Sequence, residues 1–181
     1  MKIIRLNKKE NNYISYIYES PIGNLILSTS NDYRCITLLD FYSNDNRYNI
    51  VKYEEPTIIK KTKKELDNYF STSSFCKNQF TIPVALYGTD FQYSVWMETY
   101  KIPFGNVVAY SDIAKSISNS KNISRAVGLA ESKNQIIIII PCHRVISFNK
   151  KLTGYSGGID KKEYLLKHEG FDIKDYKIVN I

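Results

Sequence analysis

Ile136-Ile137-Ile138-Ile139-Ile140-Pro141-Cys142-His143-Arg144-Val145 is the stretch on which the reading of this chain turns. A short apolar run of β-branched residues that ends at a proline predicts a buried strand. A cysteine at the end of such a run is a poor surface disulfide partner. It is a reasonable active-site thiol, held by a rigid strand and by Pro141. A free thiol has a pKa near ~8.5, and an adjacent base or cation raises its thiolate fraction. His143 follows directly. Neighbouring side chains of an extended segment point to opposite faces, so contact between Cys142 and His143 needs a turn or a bridging water. His143 needs an orienting group of its own. Glu169 is the best candidate, because a Gly-rich loop folds the last helix back. A second reading stays open on the residues alone: a buried structural cysteine beside a helix-packing histidine.

Upstream of this stretch the pattern is helical. Thr89-Asp90-Phe91-Gln92 has the capping-box spacing, in which the Thr89 hydroxyl accepts an amide and Gln92 reaches back. The helix that follows carries Phe91, Val95, Trp96 and Tyr100 on its buried side and stops at Ile102-Pro103-Phe104-Gly105. Ser111 is placed to cap a short helix through Ala114 and Ile117. A polar turn, residues 118–122, leads to a second short helix with Arg125, Val127, Leu129 and Ala130. Two short helices joined by a tight turn resemble a helix-turn-helix, although helical hairpins are common. Downstream come the loop Gly154-Tyr155-Ser156-Gly157-Gly158 and a last helix, Lys161–His168, ended by Gly170.

The first part of the chain reads as strands. Tyr13–Glu19 and Leu25–Thr29 flank the turn Ser20-Pro21-Ile22-Gly23-Asn24, and Tyr33–Phe41 is a third run. Residues 43–56 are polar and loop-like. Thr57–Phe70 has Ile58, Ile59, Thr62, Leu66, Tyr69 and Phe70 at helical spacing. Lys60, Lys61, Lys63 and Lys64 lie on the other face, which reads as a solvated surface before it reads as a phosphate contact. Phe80–Leu86 is one more short strand, and a domain boundary falls near Leu86–Gly88.

The chain has 181 residues and a formal net charge of +7, from 25 basic and 18 acidic residues. A polyanionic partner suits that balance. The charge is not packed into one tail, so a binding surface has to be made by folding. Three widely spaced cysteines, Cys35, Cys76 and Cys142, argue against a disulfide framework and for a reducing compartment. The histidines are His143 and His168, and no CxxC or HExxH spacing occurs, so no structural zinc site is expected. There is no signal-peptide h-region and no apolar run near the ~18 residues of a membrane span. These features predict a cytoplasmic protein.

The residues around Cys142 resemble the methylated-DNA–protein-cysteine methyltransferases, suicide proteins that repair O6-alkylguanine. Pro141-Cys142-His143-Arg144-Val145 matches that family's active-site signature. Gly88-Thr89-Asp90-Phe91-Gln92 with Val95-Trp96, Ile102-Pro103-Phe104-Gly105 with Val108-Ala109-Tyr110, Arg125-Ala126-Val127-Gly128, Asn134, Tyr155-Ser156-Gly157-Gly158 and His168-Glu169-Gly170 match in order. Ser20-Pro21-Ile22-Gly23 and Leu66, Asn68, Tyr69 and Phe70 look similar too. The likeness covers roughly residues 15–170.

The resemblance implies an α+β fold: an N-terminal antiparallel-sheet, ribonuclease H-like domain with a helix over residues 1–86, then a mostly helical DNA-binding and catalytic domain with a helix-turn-helix over residues 87–181. It implies a single-turnover transfer of the alkyl group from O6-alkylguanine, and from O4-methylthymine, to Cys142. His143 takes the thiol proton through a water, and Glu169 orients His143. Tyr110 donates toward guanine N3, and Asn134 holds the turn that carries Cys142. Arg125 fills the space left by a flipped base. Ser156 and the backbone near Val145 face the O6 side, and Tyr155, Ala126 and Gly128 complete the substrate and DNA contacts. The implied partner is double-stranded DNA containing O6-alkylguanine, acted on by a monomer, with no cofactor, no metal, no membrane and no obligate protein partner.

Three positions depart from the family pattern. Gln135 follows Asn134 where a proline is usual, and Ile137 stands where some relatives have proline. Glu131 places an acid near the expected DNA face, where it is expected to weaken binding slightly. Two alternatives to alkyl transfer stand beside it. Alkyltransferase-like proteins bind lesions without transfer and usually replace the cysteine with tryptophan, and Cys142 argues against that reading. An ordinary Cys–His hydrolase would turn over repeatedly and would not need the helix-turn-helix.

Overall fold

A computed structural model of the chain describes residues 1–8, 14–43, 48–51, 54–71 and 80–180. The chain divides into two compact units, Met1–Tyr87 and Gly88–Ile181.

The first unit is built from β1 (Ile3–Leu6), β2 (Ile14–Ser20), β3 (Gly23–Thr29), β4 (Ile36–Phe41), β5 (Asn49–Ile50), α1 (Thr57–Ser71) and β6 (Val84–Tyr87). They form one six-stranded sheet in the order β1-β6-β4-β3-β2-β5. The central β2-β3-β4 meander is antiparallel. Its first hairpin closes at Ser20 and Gly23, with Gly23 at φ 101°, a conformation glycine adopts without a Cβ penalty. The sheet as a whole is mixed, which corrects the expectation of an antiparallel one. β1 and β4 pair with β6, and β2 with β5, all in parallel. A parallel partner requires a crossover connection, and α1 lies in the connection that delivers β6.

Helix α1 buries Ile59, Thr62, Leu66 and Tyr69. On its outer face Lys60 meets Glu54 at 3.5 Å, Lys61 meets Glu65 at 4.0 Å and Lys63 meets Glu55 at 2.5 Å. Three of the four lysines therefore have carboxylate neighbours, as a solvated face would. Cys35 is buried beside the sheet. Tyr13 and Cys76 lie outside the described residues.

The second unit comprises α2 (Asp90–Tyr100), β7 (Val108–Ala109), α3 (Tyr110–Ser118), α4 (Ser124–Glu131), β8 (Val145–Ile146), α5 (Ile159–His168), β9 (Asp172–Lys174) and β10 (Lys177–Asn180). The capping box of α2 forms as its spacing predicts. The Gln92 amide donates to Thr89 Oγ1 at 3.2 Å, and the Thr89 amide donates to Gln92 Oε1 at 2.9 Å. Trp96 is fully buried, and its indole N–H reaches Ala130 O at 3.0 Å, tying α2 to α4. Gly88 makes room for it, since a Cβ there would lie 2.7 Å from the indole ring. Helix α3 starts two residues earlier than a Ser111 cap would place it. Ala109 is the N-cap, and Asp112 accepts its amide at 3.2 Å. Gly170, at φ 96°, ends the last turn, and Phe171 then packs with Ile146, Leu152, Leu166 and Ile178.

The isoleucine run is not a strand. Ile136 to Ile140 are all buried, but their backbone turns on itself. The Ile139 amide donates to Ile137 O at 2.8 Å and the Ile140 amide to Ile136 O at 2.9 Å. Ile138 sits at φ 69°, a costly conformation for a β-branched residue. Asn134 does the work of a strand partner: its Nδ2 donates to Ile140 O at 2.8 Å and its Oδ1 accepts the Ile136 amide at 3.0 Å. Burial on every side removes the polar alternation that separates strand from turn. Among the described residues no helix is long and apolar enough to cross a membrane.

Candidate active site

Pro141 ends the isoleucine turn, and Cys142–Arg144 form a single 3₁₀ turn. This is the local bend that lets two adjacent side chains serve one site. Asn134 Nδ2 donates to Cys142 Sγ at 3.2 Å, so one carboxamide fixes both the backbone and the sulfur.

Next to the cysteine lies a buried cluster. His143 Nε2 is 2.8 Å from Glu169 Oε1. Arg144 Nε donates to Glu169 Oε2 at 2.9 Å and Oε1 at 3.1 Å, and its Nη2 donates to Oε1 at 2.8 Å. The Gly105 amide also donates to Oε2, at 3.2 Å. Burial by itself would raise the Glu169 pKa, but His143 and Arg144 outweigh it and bring it to about 2. Burial holds His143 below its usual value, with Glu169 opposing only in part. The pair is therefore a carboxylate and a neutral imidazole. The Nε2 proton faces the carboxylate, which leaves Nδ1 as the lone-pair nitrogen. That Nδ1 is buried and has no hydrogen-bond partner, so the imidazole is set up to receive a proton.

Cys142 opens onto a cavity of about 690 Å³ walled by Tyr110, Gly128, Glu131 and the loop from Thr153 to Ser156, with Arg125 also at its lining. Tyr110 is the first residue of α3. Its hydroxyl donates to Thr153 O at 3.3 Å, and burial pushes its pKa up to about 12, so the phenol keeps its proton. Arg125 is the second residue of α4 and is exposed. Gly128, one turn on, lies beside the Tyr110 ring, which a Cβ would meet at 3.7 Å. Tyr155 and Ser156 line the cavity too. His143, Glu169, Asn134 and Val145 stand behind this wall, and Ala126 is exposed on α4 outside the lining.

Two residues at the site, Arg144 and Lys162, have roles that no local sequence pattern announces. The Arg144 guanidinium clamps Glu169, donates from Nη1 to Ile102 O at 2.7 Å and lies over the Phe104 ring. Lys162 is fully buried: its ammonium donates to Val145 O at 2.6 Å and Thr153 O at 3.0 Å, under the Tyr110 ring. Burial lowers its pKa to about 8, with Cys142 and Glu131 opposing. A lysine at helical spacing with Leu165 and Leu166 was the available signal of its burial. Glu131, the acid expected near the DNA face, is buried and lines the cavity together with Arg125. Its carboxyl meets the Thr99 hydroxyl of α2.

A buried cysteine, a neutral imidazole oriented by a carboxylate, and a cavity lined in part by a short helix define a nucleophile site built beside a candidate nucleic-acid surface. Comparison with known proteins agrees. A family model described as the 6-O-methylguanine DNA methyltransferase DNA-binding domain matches residues 90–171. The methylated-DNA–protein-cysteine methyltransferase of Methanosarcina acetivorans is 41% identical over 156 residues, covering 85% of this chain and 96% of that protein. The constitutive enzyme of that name from Bacillus subtilis is 34% identical over 163 residues, covering 87% and 95%. The crystal structure of Mycobacterium tuberculosis O6-methylguanine methyltransferase superposes with a TM-score of 0.73 at 35% identity, covering 87% of this chain and 92% of that one. A structure of the same bacterium's protein in complex with DNA gives 0.74 at 37% identity, covering 86% and 91%. The chain belongs to the methylated-DNA–protein-cysteine methyltransferase family.

Proposed function

We propose that this protein repairs O6-alkylguanine in double-stranded DNA by a single, irreversible transfer of the alkyl group to Cys142. The observation that carries this reading is the placement of Cys142 at the wall of the cavity, with the neutral His143 and ionised Glu169 beside it.

The His143 Nδ1 lone pair takes the thiol proton, by way of a water. The thiolate attacks the alkyl carbon in line with the C–O6 bond. A C–S bond forms, the C–O6 bond breaks, and the electron pair passes to the base. The Tyr110 hydroxyl donates toward guanine N3 as that negative charge develops, the task of an oxyanion site. The Lys162 ammonium favours the thiolate form of Cys142 by charge. Glu169 keeps the Nε2 proton in place, Asn134 fixes the sulfur, and Ser156, on the cavity lining, faces O6. The resulting thioether has no route back to a thiol, so each molecule acts once.

The target carbon lies inside a duplex, so the base must leave the stack at a cost of a few kcal/mol. Helices α3 and α4 act as a helix-turn-helix whose second helix enters the minor groove. Arg125, near the start of α4, fills the emptied space, and Tyr155, Ala126 and Gly128 complete the contacts. Groove contacts of low sequence information suit a protein that must find lesions in any sequence. The same chemistry extends to O4-methylthymine, and the +7 charge supports phosphate contact by a cytoplasmic monomer.

Intact mass spectrometry after incubation with O6-methylguanine duplex tests the reading. One methyl group per protein is expected, absent from Cys142→Ala. Repeated turnover by unmodified protein would overturn it.

A further inference from the structure

Phe148 is the most exposed large hydrophobic side chain among the described residues, at 81%. Core packing does not account for it. It stands at the lining of the cavity into which Cys142 opens. The backbone holds it there. Residues 147–151 close a tight turn, in which the Ser147 amide donates to Lys151 O at 3.2 Å and the Lys150 amide to Ser147 O at 2.9 Å. The Lys151 amide donates to Asn149 Oδ1 at 3.2 Å. The foot of the turn is tied to the β9-β10 hairpin. The Ile178 amide donates to Lys150 O at 3.1 Å, and the Leu152 amide to Tyr176 O at 2.7 Å. The ring is therefore carried on a fixed support.

Its surroundings are cationic. The Lys121 ammonium, from the turn between α3 and α4, lies 5.9 Å from the ring centroid. Lys150 and Lys151 follow Phe148 in the same turn and are exposed, and Arg125 lines the same cavity. Lys150 holds φ 65°, a left-handed conformation that glycine adopts without strain, so the turn carries a charge where glycine would fit better. A lone exposed apolar residue is ordinary. An aromatic ring held among lysines is the chemistry that takes a nucleobase on its face while ammonium groups meet the phosphates on either side.

A duplex offers such a ring little. Its bases are already stacked on both faces, and one must be unstacked before a side chain can replace its neighbour. An unpaired strand presents open base faces along its length, and stacking on them tolerates any sequence. We propose that Phe148 is a specificity-determining residue, whose ring stacks on an unpaired base of the strand entering the cavity and favours lesions in single-stranded DNA. The proposal deepens the alkyl-transfer reading of the cavity and rests on it. Phe148 thereby complements Arg125, whose proposed task exists only where a base is taken from a duplex.

The experiment uses one O6-methylguanine oligonucleotide, single-stranded or annealed to its complement. Methyl transfer to Cys142 is followed by intact mass below saturation, and binding of the unmodified single strand by fluorescence anisotropy. Phe148→Ala is expected to lower the ratio of single-strand to duplex transfer rates about tenfold, and to weaken single-strand binding about as much, the scale of one lost stack. Phe148→Trp restores both values. Phe148→Leu, apolar but without a π face, restores neither. Equal slowing of Phe148→Ala on the two substrates, or a Leu variant with the wild-type ratio, overturns the proposal. Absence of methyl transfer from either substrate to the wild-type protein overturns the alkyl-transfer reading itself. The anisotropy comparison then still decides whether Phe148 stacks on the strand, so the two failures are distinct.

Discussion

Arg144 holds Glu169 from the side, its Nε 2.9 Å from Oε2 and its Nη2 2.8 Å from Oε1, while His143 Nε2 meets the same Oε1 at 2.8 Å. One carboxylate thus answers to two neighbouring residues of a single 3₁₀ turn. The arrangement locks α5 to the turn that carries the cysteine, and the ion pair is out of water on both sides. Removing one partner of a buried pair leaves an uncompensated charge and costs about 3–5 kcal/mol. Arg144→Met is expected to lose stability in that range by urea unfolding. Arg144→Met/Glu169→Gln is expected to lose less than the sum of the two single variants. Additive losses would mean that the two side chains do not act as a unit.

Acid should unfold this protein through the same cluster. Glu169 has a folded pKa of about 2 against an ordinary 4.5, so the folded state binds fewer protons than the unfolded chain between those values. Its contribution is present above pH 4.5 and is lost as pH falls toward 2. It amounts to roughly 3 kcal/mol. His143, held below its ordinary 6.5, acts in the same direction, because the unfolded chain takes up its proton first. Unfolding free energies measured from pH 7 down to pH 2.5 should fall steeply for the wild-type protein and less so for Glu169→Gln. Parallel curves would remove Glu169 from the account.

The difference between what the sequence disclosed and what it hid follows the range of the interactions. The Thr89–Gln92 capping box was legible because both of its hydrogen bonds close within four residues. Gly170 was legible as a stop for the same reason. Cys142, His143 and Glu169 came from a motif and a family likeness, and the structure brings all three together. The clamp from Arg144 to Ile102 O spans 42 residues, and no local pattern announces it. The isoleucine run misled because periodicity is informative only where one face meets water. β5 escaped because it is a two-residue pairing made by backbone, in a stretch of polar side chains. The burial of Glu131 was not legible because it depends on how α4 packs against Thr99 of α2.

Glu131→Gln offers a second pH test, opposite in sign to that of Glu169. The folded pKa of Glu131, about 7, lies above its ordinary 4.5, so the folded state binds more protons in that window. Its contribution is full below pH 4.5 and is lost as pH rises through 7. Tyr110 on α3 and Cys142 line the same cavity, and the buried Lys162 of α5 is coupled to Glu131 by charge. The amide does not titrate. The stability of Glu131→Gln relative to wild type should therefore grow between pH 5 and pH 8, by up to about 3 kcal/mol. Reading the difference between the two proteins cancels the His143 titration, while Lys162, whose pKa the Glu131 charge raises, contributes to that difference. A difference that stays flat with pH would show that burial does not raise the Glu131 pKa in the folded protein.

Arg125 separates the DNA task from the chemical one. It is exposed on α4 and lines the mouth of the cavity, while the cysteine, histidine and glutamate lie behind the wall. If it fills the gap left by a flipped base, its loss should matter only where a base must be taken from a duplex. Arg125→Ala is expected to slow methyl transfer from O6-methylguanine in duplex DNA about tenfold or more, the scale of a lost interaction of a few kcal/mol. Transfer from the free alkylated base needs no unstacking and should change little. Salt sharpens the comparison, because phosphate contact makes duplex binding fall as ionic strength rises, whereas reaction with the free base has no such dependence. Equal slowing on both substrates would place Arg125 in the fold of the cavity and take the base-flipping role from it.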